Sequence, residues 1–134
     1  MEPRPYVSLG APYGSGADPF CLRQGVRSRL LAAQVHLQSI TTGGGLRPLR
    51  LGIFDAWRPV SVQAFMVNHA IEEECARQGI DPEDSDQLNR LENVRSEVAR
   101  FWAPPSADLL TPPPHSTGAA VDLTLIDAQG SPLD

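Results

Sequence analysis

The stretch HSTGAAVDLTLI at residues 115–126 decides how the fold is interpreted. Its second half alternates apolar and polar side chains with a period of two, which is typical of a half-buried strand, and we predict a strand over 119–126. Gly118 permits a sharp turn directly before that strand. The sequence DAQG at 127–130 then predicts a hairpin turn.

Upstream of this stretch, the spacing of apolar residues predicts a second strand and three helices. LRLGIF at 49–54, which lies between two prolines, predicts a short buried strand. Apolar residues recur at intervals of three and four over 25–43, 61–79 and 85–102, as they do along one face of a helix. The predicted inward faces carry Val26, Leu30, Ala33, Leu37 and Ile40 on the first helix, Val60, Ala64, Val67, Ile71 and Cys75 on the second, and Leu88, Leu91, Val94, Val98 and Phe101 on the third.

Boundary residues support these three helices. The glycine run at 43–45 ends the first helix because glycine readily adopts the positive φ of a C-terminal cap. Ser61 is the predicted N-cap of the second helix, which ends at Gly79. We therefore expect an α+β fold, with helices packed on a small, mainly antiparallel sheet and a functional site at the rim of that sheet.

The two ends of the chain differ from this regular pattern. Residues 1–20 are rich in proline and glycine and predict an extended, loop-rich N-terminal segment. After the predicted hairpin turn only residues 131–134 are left for a returning strand. Because one arm of a hairpin alone leaves a row of unpaired backbone groups, we expect 1–134 to be a single domain that is incomplete, or whose open edge is covered by something else.

Composition excludes several classes of function. The 134 residues carry 11 basic and 16 acidic side chains, a net charge of −5, which argues against nucleic acid or an anionic membrane as a partner. All the basic residues are arginine, which excludes Schiff-base chemistry on lysine. The sequence shows neither a secretory signal nor a long apolar span, so a cytoplasmic protein is expected, with Cys21 and Cys75 as buried free thiols.

His115 and Asp122 are a candidate pair of metal ligands. Imidazole nitrogen and carboxylate oxygen both suit Zn²⁺. The spacing of seven positions fits one ligand on a loop and the other on the adjoining strand. Aspartate is also depleted in strands, so its position in the apolar alternation needs a compensating partner. Two structural alternatives stay open here, namely that Asp122 points to solvent and that His115 caps a loop.

Arg58 is a candidate for binding substrate. It follows a buried strand within DAWRP at 55–59, and its guanidinium stays charged and offers several donors to a carbonyl or carboxylate oxygen. Such a donor can stabilise charge that develops on a substrate oxygen. An ion pair with Asp55, or stacking on Trp57, is the structural alternative.

Together, the blocks DAWRP at 55–59 and HSTGAAVDLTL at 115–125 resemble those of the zinc D-alanyl-D-alanine dipeptidases, which include the vancomycin-resistance type. From the histidine onward the second block matches the family pattern S-x-H-x-x-G-x-A-x-D. The resemblance implies that His115 and Asp122 are two of three protein ligands of one catalytic zinc. It also implies that Arg58 polarises the scissile carbonyl of a small D-amino-acid dipeptide, whose hydrolysis needs a glutamate as base.

The sequence departs from the family pattern at two points. Pro113 stands where the family commonly has serine, and no E-x-x-H block, the family's source of the base and third ligand, occurs in 1–134. The other histidines, His36 and His69, have alanine and methionine three positions earlier. The resulting hypothesis is an incomplete dipeptidase that is inactive alone. The alternatives are a non-catalytic paralogue that binds cell-wall peptide and a D,D-carboxypeptidase of the same superfamily.

Overall fold

The helices and strands of the protein come from a computed structural model that describes residues 5–45 and 47–133. The described residues form four helices and one two-stranded antiparallel sheet, which confirms the predicted α+β class. In chain order the elements are α1 (Pro5–Ser8), α2 (Gln24–Gly43), β1 (Arg50–Asp55), α3 (Val60–Gln78), α4 (Leu88–Val98) and β2 (Asp122–Ile126), with single 3₁₀ turns at Ser85–Gln87 and Pro114–Thr117.

The sheet pairs β1 with β2 from Arg50 opposite Ile126 to Asp55 opposite Asp122. Both predicted strands are present, but β2 begins three residues later than the predicted strand at 119–126. The reason is that β1 ends at Asp55, so residues 119–121 have no strand opposite them. The ends of the two strands therefore meet at one rim of the sheet, and each end carries a carboxylate.

The predicted hairpin turn at 127–130 is confirmed. The Asp127 N–H donates to the Ser131 carbonyl at 2.9 Å, and Gly130 has a φ of 89°. A returning arm begins directly afterwards, since the Leu133 N–H donates to the Leu125 carbonyl at 2.9 Å. The outer edge of β2 is thus partly covered by the chain itself.

Helix α2 follows its predicted bounds, but its inward face differs from the prediction. Ala33 and Ile40 are exposed, while Thr41 is buried. Gln34 faces the sheet and bonds the free edge of β1: its Nε2 donates to the Leu49 carbonyl at 3.2 Å, and its Oε1 accepts from the Leu51 N–H at 2.7 Å. An edge strand needs partners for such backbone groups, so Gln34, and not the predicted Ala33, faces the sheet.

The glycine run ends α2 differently from the prediction. Gly44, the C-cap, has a φ of −86°, and the positive φ of 70° falls one residue later, at Gly45. The Gly44 N–H still closes the last turn, on the Ile40 carbonyl at 3.1 Å.

Helix α3 begins one residue before its predicted N-cap. Pro59 occupies the cap position, whereas Ser61 lies inside the helix and its hydroxyl donates to the Pro12 carbonyl at 3.4 Å. The helix ends at Gly79, whose φ of 63° is the left-handed cap that glycine favours. Of the predicted stripe of α3, Cys75 is buried, and Val67 and Ile71 are partly buried against the same core. The other buried side chains of the helix, Val62, Gln63 and Met66, were not predicted.

The main apolar core lies between α3 and α4. Leu91, Val94 and Val98 are buried there, as predicted, against Cys75 and Ile80. The other two predicted core residues are wrong: Leu88 is 57% exposed and Phe101 is 84% exposed. Leu88 is the first residue of α4, and the helix stops at Val98, so neither continues the inward face.

The N-terminal segment contains one short helix, α1, within the region predicted to be loop; residues 1–4 lie outside the described part of the chain. The segment is tied to the end of β1, because the Pro19 carbonyl accepts from the N–H groups of Ala56 and Trp57 at 2.8 and 3.0 Å. Both cysteines are free, as predicted. Cys75 is buried as predicted, but Cys21 is exposed, so its predicted burial is wrong. No helix in the described residues has the length and apolarity to cross a membrane.

Candidate functional site

The candidate site lies at the rim of the sheet where Asp55 and Asp122 face each other across the strand pair. Ile53 pairs with Leu123 and Asp55 with Asp122, so Phe54 is an extra residue in β1. Such a bulge bends a strand and redirects the side chains beside it. The carboxylates of Asp55 and Asp122 thereby both pair with the guanidinium of Arg58.

His115 is held beside Asp122 by the backbone of the other sequence block. Its Nδ1 lies 2.7 Å from the Ala56 carbonyl oxygen, and its own carbonyl accepts from the Arg58 N–H at 3.3 Å. A carbonyl only accepts, so Nδ1 carries the hydrogen, and Nε2 is turned toward Asp122, 3.4 Å from its Oδ1. Metal-binding histidines are commonly oriented by such a second hydrogen bond.

The turn between His115 and β2 uses Gly118 as predicted. Its φ is 69°, a conformation that favours glycine, and it caps the 3₁₀ turn Pro114–Thr117. Arg23 fastens this turn from the N-terminal side: its Nε donates to the Thr117 carbonyl at 2.7 Å and its N–H to the Gly118 carbonyl at 2.9 Å.

Arg58 is buried at the centre of the site, with 3% of its surface exposed. Its Nε donates to Asp55 and its Nη2 to Asp122, so the ion pair with Asp55 that was an alternative to a substrate role is present. The rings of Tyr6 and Trp102 lie over the guanidinium, with centroids 4.6 and 5.6 Å from Cζ. No hydrogen bond or ion pair of Nη1 to the described residues is found.

The predicted stacking partner of Arg58, Trp57, lies elsewhere. It lines a shallow cleft beside Gly118, together with Cys21 and Arg23. The main chain turns at the end of β1, so neighbours in sequence diverge there.

Asp55 is shielded from solvent and pairs with Arg58. It is 1% exposed, and its second oxygen accepts from the Tyr13 hydroxyl at 3.0 Å. Both oxygens are therefore committed, one to an arginine and one to a phenol, which satisfies a carboxylate that would otherwise be costly to bury.

The described residues include one group that could hold a metal ion: Asp55, His115 and Asp122, with one ligand atom of each within 4.8 Å of the others. His115 and Asp122 are only partly buried and supply the nitrogen and oxygen donors that zinc accepts. Asp55 adds a nearby negative charge, but its oxygens are already bonded. The donor set thus fits a zinc ion held by two residues.

Charge and burial shift the pKa values around the site. The neighbouring His115 side chain lowers the pKa of Asp122, and the charge of Arg58 acts in the same direction, against partial burial. Burial raises the pKa of Tyr13, and the negative charge of Asp55 raises it further. Burial also raises the pKa of Tyr6. Asp122 is therefore ionised, and both phenols are protonated, at neutral pH.

A cavity of about 490 Å³ opens over these groups and has Tyr6, Arg58, Trp102, His115 and Asp122 in its wall. Its size falls in the range of small-molecule sites. The three residues singled out from the sequence, Arg58, His115 and Asp122, thus meet in one place.

The aromatic residues of the site were not predicted from the sequence. Tyr6 and Tyr13 come from the segment expected to be loop, and Trp102 follows the end of α4. No periodicity or motif distinguishes them, although two tyrosines within a proline-rich segment were a signal of buried anchors.

His36 and His69 lie on α2 and α3, outside the site, as expected, and His69 pairs with Glu73 at 3.5 Å.

Comparison with known proteins identifies a family and a relative. Residues 19–134 match the model of a peptidase family described as D-Ala-D-Ala dipeptidase. Over 134 residues the chain is 42% identical to a protein of Synechocystis sp. named D-alanyl-D-alanine dipeptidase, an alignment that covers 100% of this chain and 51% of that relative. The chain thus spans about half the length of the curated relative. No solved structure matches it significantly.

Proposed function

The chain belongs to the D-Ala-D-Ala dipeptidase family, and on this premise we propose that it carries the zinc- and substrate-binding part of a peptidase that hydrolyses D-Ala-D-Ala, a dipeptide of cell-wall precursors. The observation that carries the proposal is the convergence of His115, Asp122 and Arg58 on one cavity. We also propose a cytoplasmic location, where two unpaired cysteines stay reduced.

His115 and Asp122 are the residues that would hold zinc, through Nε2 and the carboxylate. The Ala56 carbonyl keeps the hydrogen of the imidazole on Nδ1, which leaves Nε2 as the donor atom. When bound, zinc supplies a water molecule of lowered pKa as nucleophile at neutral pH.

Arg58 binds the scissile carbonyl oxygen of the dipeptide. Its guanidinium cannot lose its charge and is held in place by Asp55, so it is a fixed donor in the wall of the cavity. A donor that is already in place strengthens its interaction as negative charge develops on that oxygen, and costs no reorganisation.

Two parts of a complete catalytic site are not found among these 134 residues. A catalytic zinc normally has three protein ligands, and this sequence supplies two and contains no E-x-x-H block. Loss of the base alone costs about 10² to 10⁴ in rate. We therefore propose that the 134 residues bind the dipeptide, but hydrolyse it slowly without residues from outside them.

A second candidate is a non-catalytic paralogue that binds cell-wall peptide through Arg58, which lies in the wall of the cavity. It predicts dipeptide binding without bound zinc. A D,D-carboxypeptidase of the same superfamily would instead act faster on a longer muropeptide than on the dipeptide.

The test measures D-Ala-D-Ala binding by calorimetry and D-alanine release, with and without Zn²⁺, for the wild type and Arg58→Lys. The lysine variant keeps the charge between the two carboxylates but loses the fork of donors, so binding should weaken about tenfold. Arg95→Lys is the matched control, since Arg95 lies on the exposed face of α4. Equal binding by wild type and Arg58→Lys, or rapid turnover by the wild type alone, contradicts the proposal.

A further inference from the structure

Tyr6 lies at the site although it precedes the region that matches the family model, which begins at residue 19. Its ring lies over the Arg58 guanidinium, with the centroid 4.6 Å from Cζ, and meets Trp102 edge-on at a centroid distance of 6.2 Å. Its hydroxyl oxygen is 3.2 Å from Arg58 Nη2, and the residue lies in the wall of the cavity.

The direction of this hydrogen bond determines what the Tyr6 hydroxyl can still do. A guanidinium has donors only, so Arg58 donates and the Tyr6 oxygen accepts. The phenol hydrogen can still be donated to another group, because no acceptor for it is found among the described residues. Burial raises the pKa of Tyr6, which keeps that hydrogen in place at neutral pH.

The Tyr6 ring is held independently of its hydroxyl. It packs with Trp102 against the buried cluster of Tyr13, Val62 and Met66, and its carbonyl accepts from the Ala11 N–H at 3.0 Å. A donor group on a fixed ring beside a fixed cation is therefore preorganised toward the cavity.

We propose that the Tyr6 hydroxyl is a second hydrogen-bond donor to the substrate oxygen that Arg58 binds. This inference rests on the proposed function, because it names a further contact of the same substrate. Two donors on one oxygen bind it more strongly as its negative charge grows, which is how oxyanion sites work. This second donor thus comes from α1, outside the two sequence blocks.

The test compares wild type with Tyr6→Phe, which removes the hydroxyl and keeps the ring. Two probes are titrated by calorimetry in the presence of Zn²⁺: D-Ala-D-Ala, and methylphosphonate as a tetrahedral oxyanion that needs no peptide recognition. We expect each to bind the variant about tenfold more weakly. Ser39→Ala, which loses a hydroxyl on the far part of α2, is the control and should bind both probes as the wild type does.

A second readout separates this contact from a structural role. In protein labelled at tyrosine ¹³Cζ, the Tyr6 resonance, assigned by its loss in Tyr6→Phe, should shift on addition of either probe. A resonance that stays in place while a probe binds overturns the inference, even if Tyr6→Phe binds more weakly.

The outcomes for the two proposals differ. If wild type and Tyr6→Phe bind D-Ala-D-Ala equally well, the inference is wrong and the proposed function stands. If the wild type binds no dipeptide, the proposed function is wrong. The affinity for methylphosphonate then tests the inference by itself, and a tenfold weaker affinity of Tyr6→Phe supports a two-donor oxyanion site. Equal binding or no binding of methylphosphonate overturns that site.

Discussion

Nδ1 of His115 lies 2.7 Å from the carbonyl oxygen of Ala56, a residue 59 positions earlier in the chain. This one hydrogen bond joins the two sequence blocks and sets which imidazole nitrogen faces Asp122. The strand pairing positions the two carboxylates, because it places Asp55 and Asp122 opposite each other at the same rim of the sheet. The site is therefore a product of the sheet and not of either block alone.

The ion pair of Asp55 with Arg58 should be essential for stability. Asp55→Asn removes the buried one of the two carboxylates that compensate the guanidinium, and breaking a buried pair costs about 3–5 kcal/mol of the free energy of unfolding. Urea denaturation measures the change. Glu74→Gln is the matched control: Glu74 also pairs with an arginine three residues later, Arg77, but at the surface, so little change is expected. Equal effects of the two substitutions would contradict this view of the site.

The hydrogen bonds of Gln34 should stabilise the free edge of β1. Gln34→Leu fits the apolar surroundings but leaves the Leu51 N–H and the Leu49 carbonyl without a partner, for a loss of about 1–2 kcal/mol. Gln38→Leu is the control on the same helix, since Gln38 is exposed and its side chain makes no hydrogen bond in the described residues. Unfolding curves in urea that coincide for the two variants would show that the edge does not need Gln34.

Stability should fall at alkaline pH because of Tyr13. Burial and the charge of Asp55 raise its pKa in the folded state above the ordinary value of about 10, which applies to the unfolded chain. Below pH 10 both states keep the proton, so this group adds no pH dependence there. Above pH 10 only the unfolded state loses it readily, and the free energy of unfolding decreases.

Phenolate absorbance measured against pH, together with circular dichroism, tests this expectation. Tyr13 should ionise only as the fold is lost. One tyrosine that titrates near pH 10 in an intact Tyr6→Phe variant, where Tyr13 is the remaining tyrosine, would refute it.

Local patterns predicted most of the secondary structure. Alternation in residues 119–126 and the DAQG turn correspond to β2 and its hairpin, and glycine at 79 ends α3 as expected. What local patterns could not predict was set by tertiary partners. Gln34 faces inward because an edge strand needs polar partners, and Phe101 is exposed because α4 stops at Val98.

The site was predictable where a residue type has few chemical uses. His115, Asp122 and Arg58 stood out as metal ligands and a fixed cation, and the structure brings them together. Tyr6 and Trp102 were not predictable, because their role depends on long-range packing over the guanidinium, 52 residues from Tyr6 in the chain.

The most direct test of the account is a calorimetric titration of Zn²⁺ into the wild type, His115→Ala and His69→Ala. We expect one zinc per wild-type chain, at least tenfold weaker binding by His115→Ala, and unchanged binding by His69→Ala, whose histidine pairs with Glu73 on α3. Zinc that binds His115→Ala as tightly as the wild type, or that is lost in His69→Ala, would contradict a metal centre at His115 and Asp122.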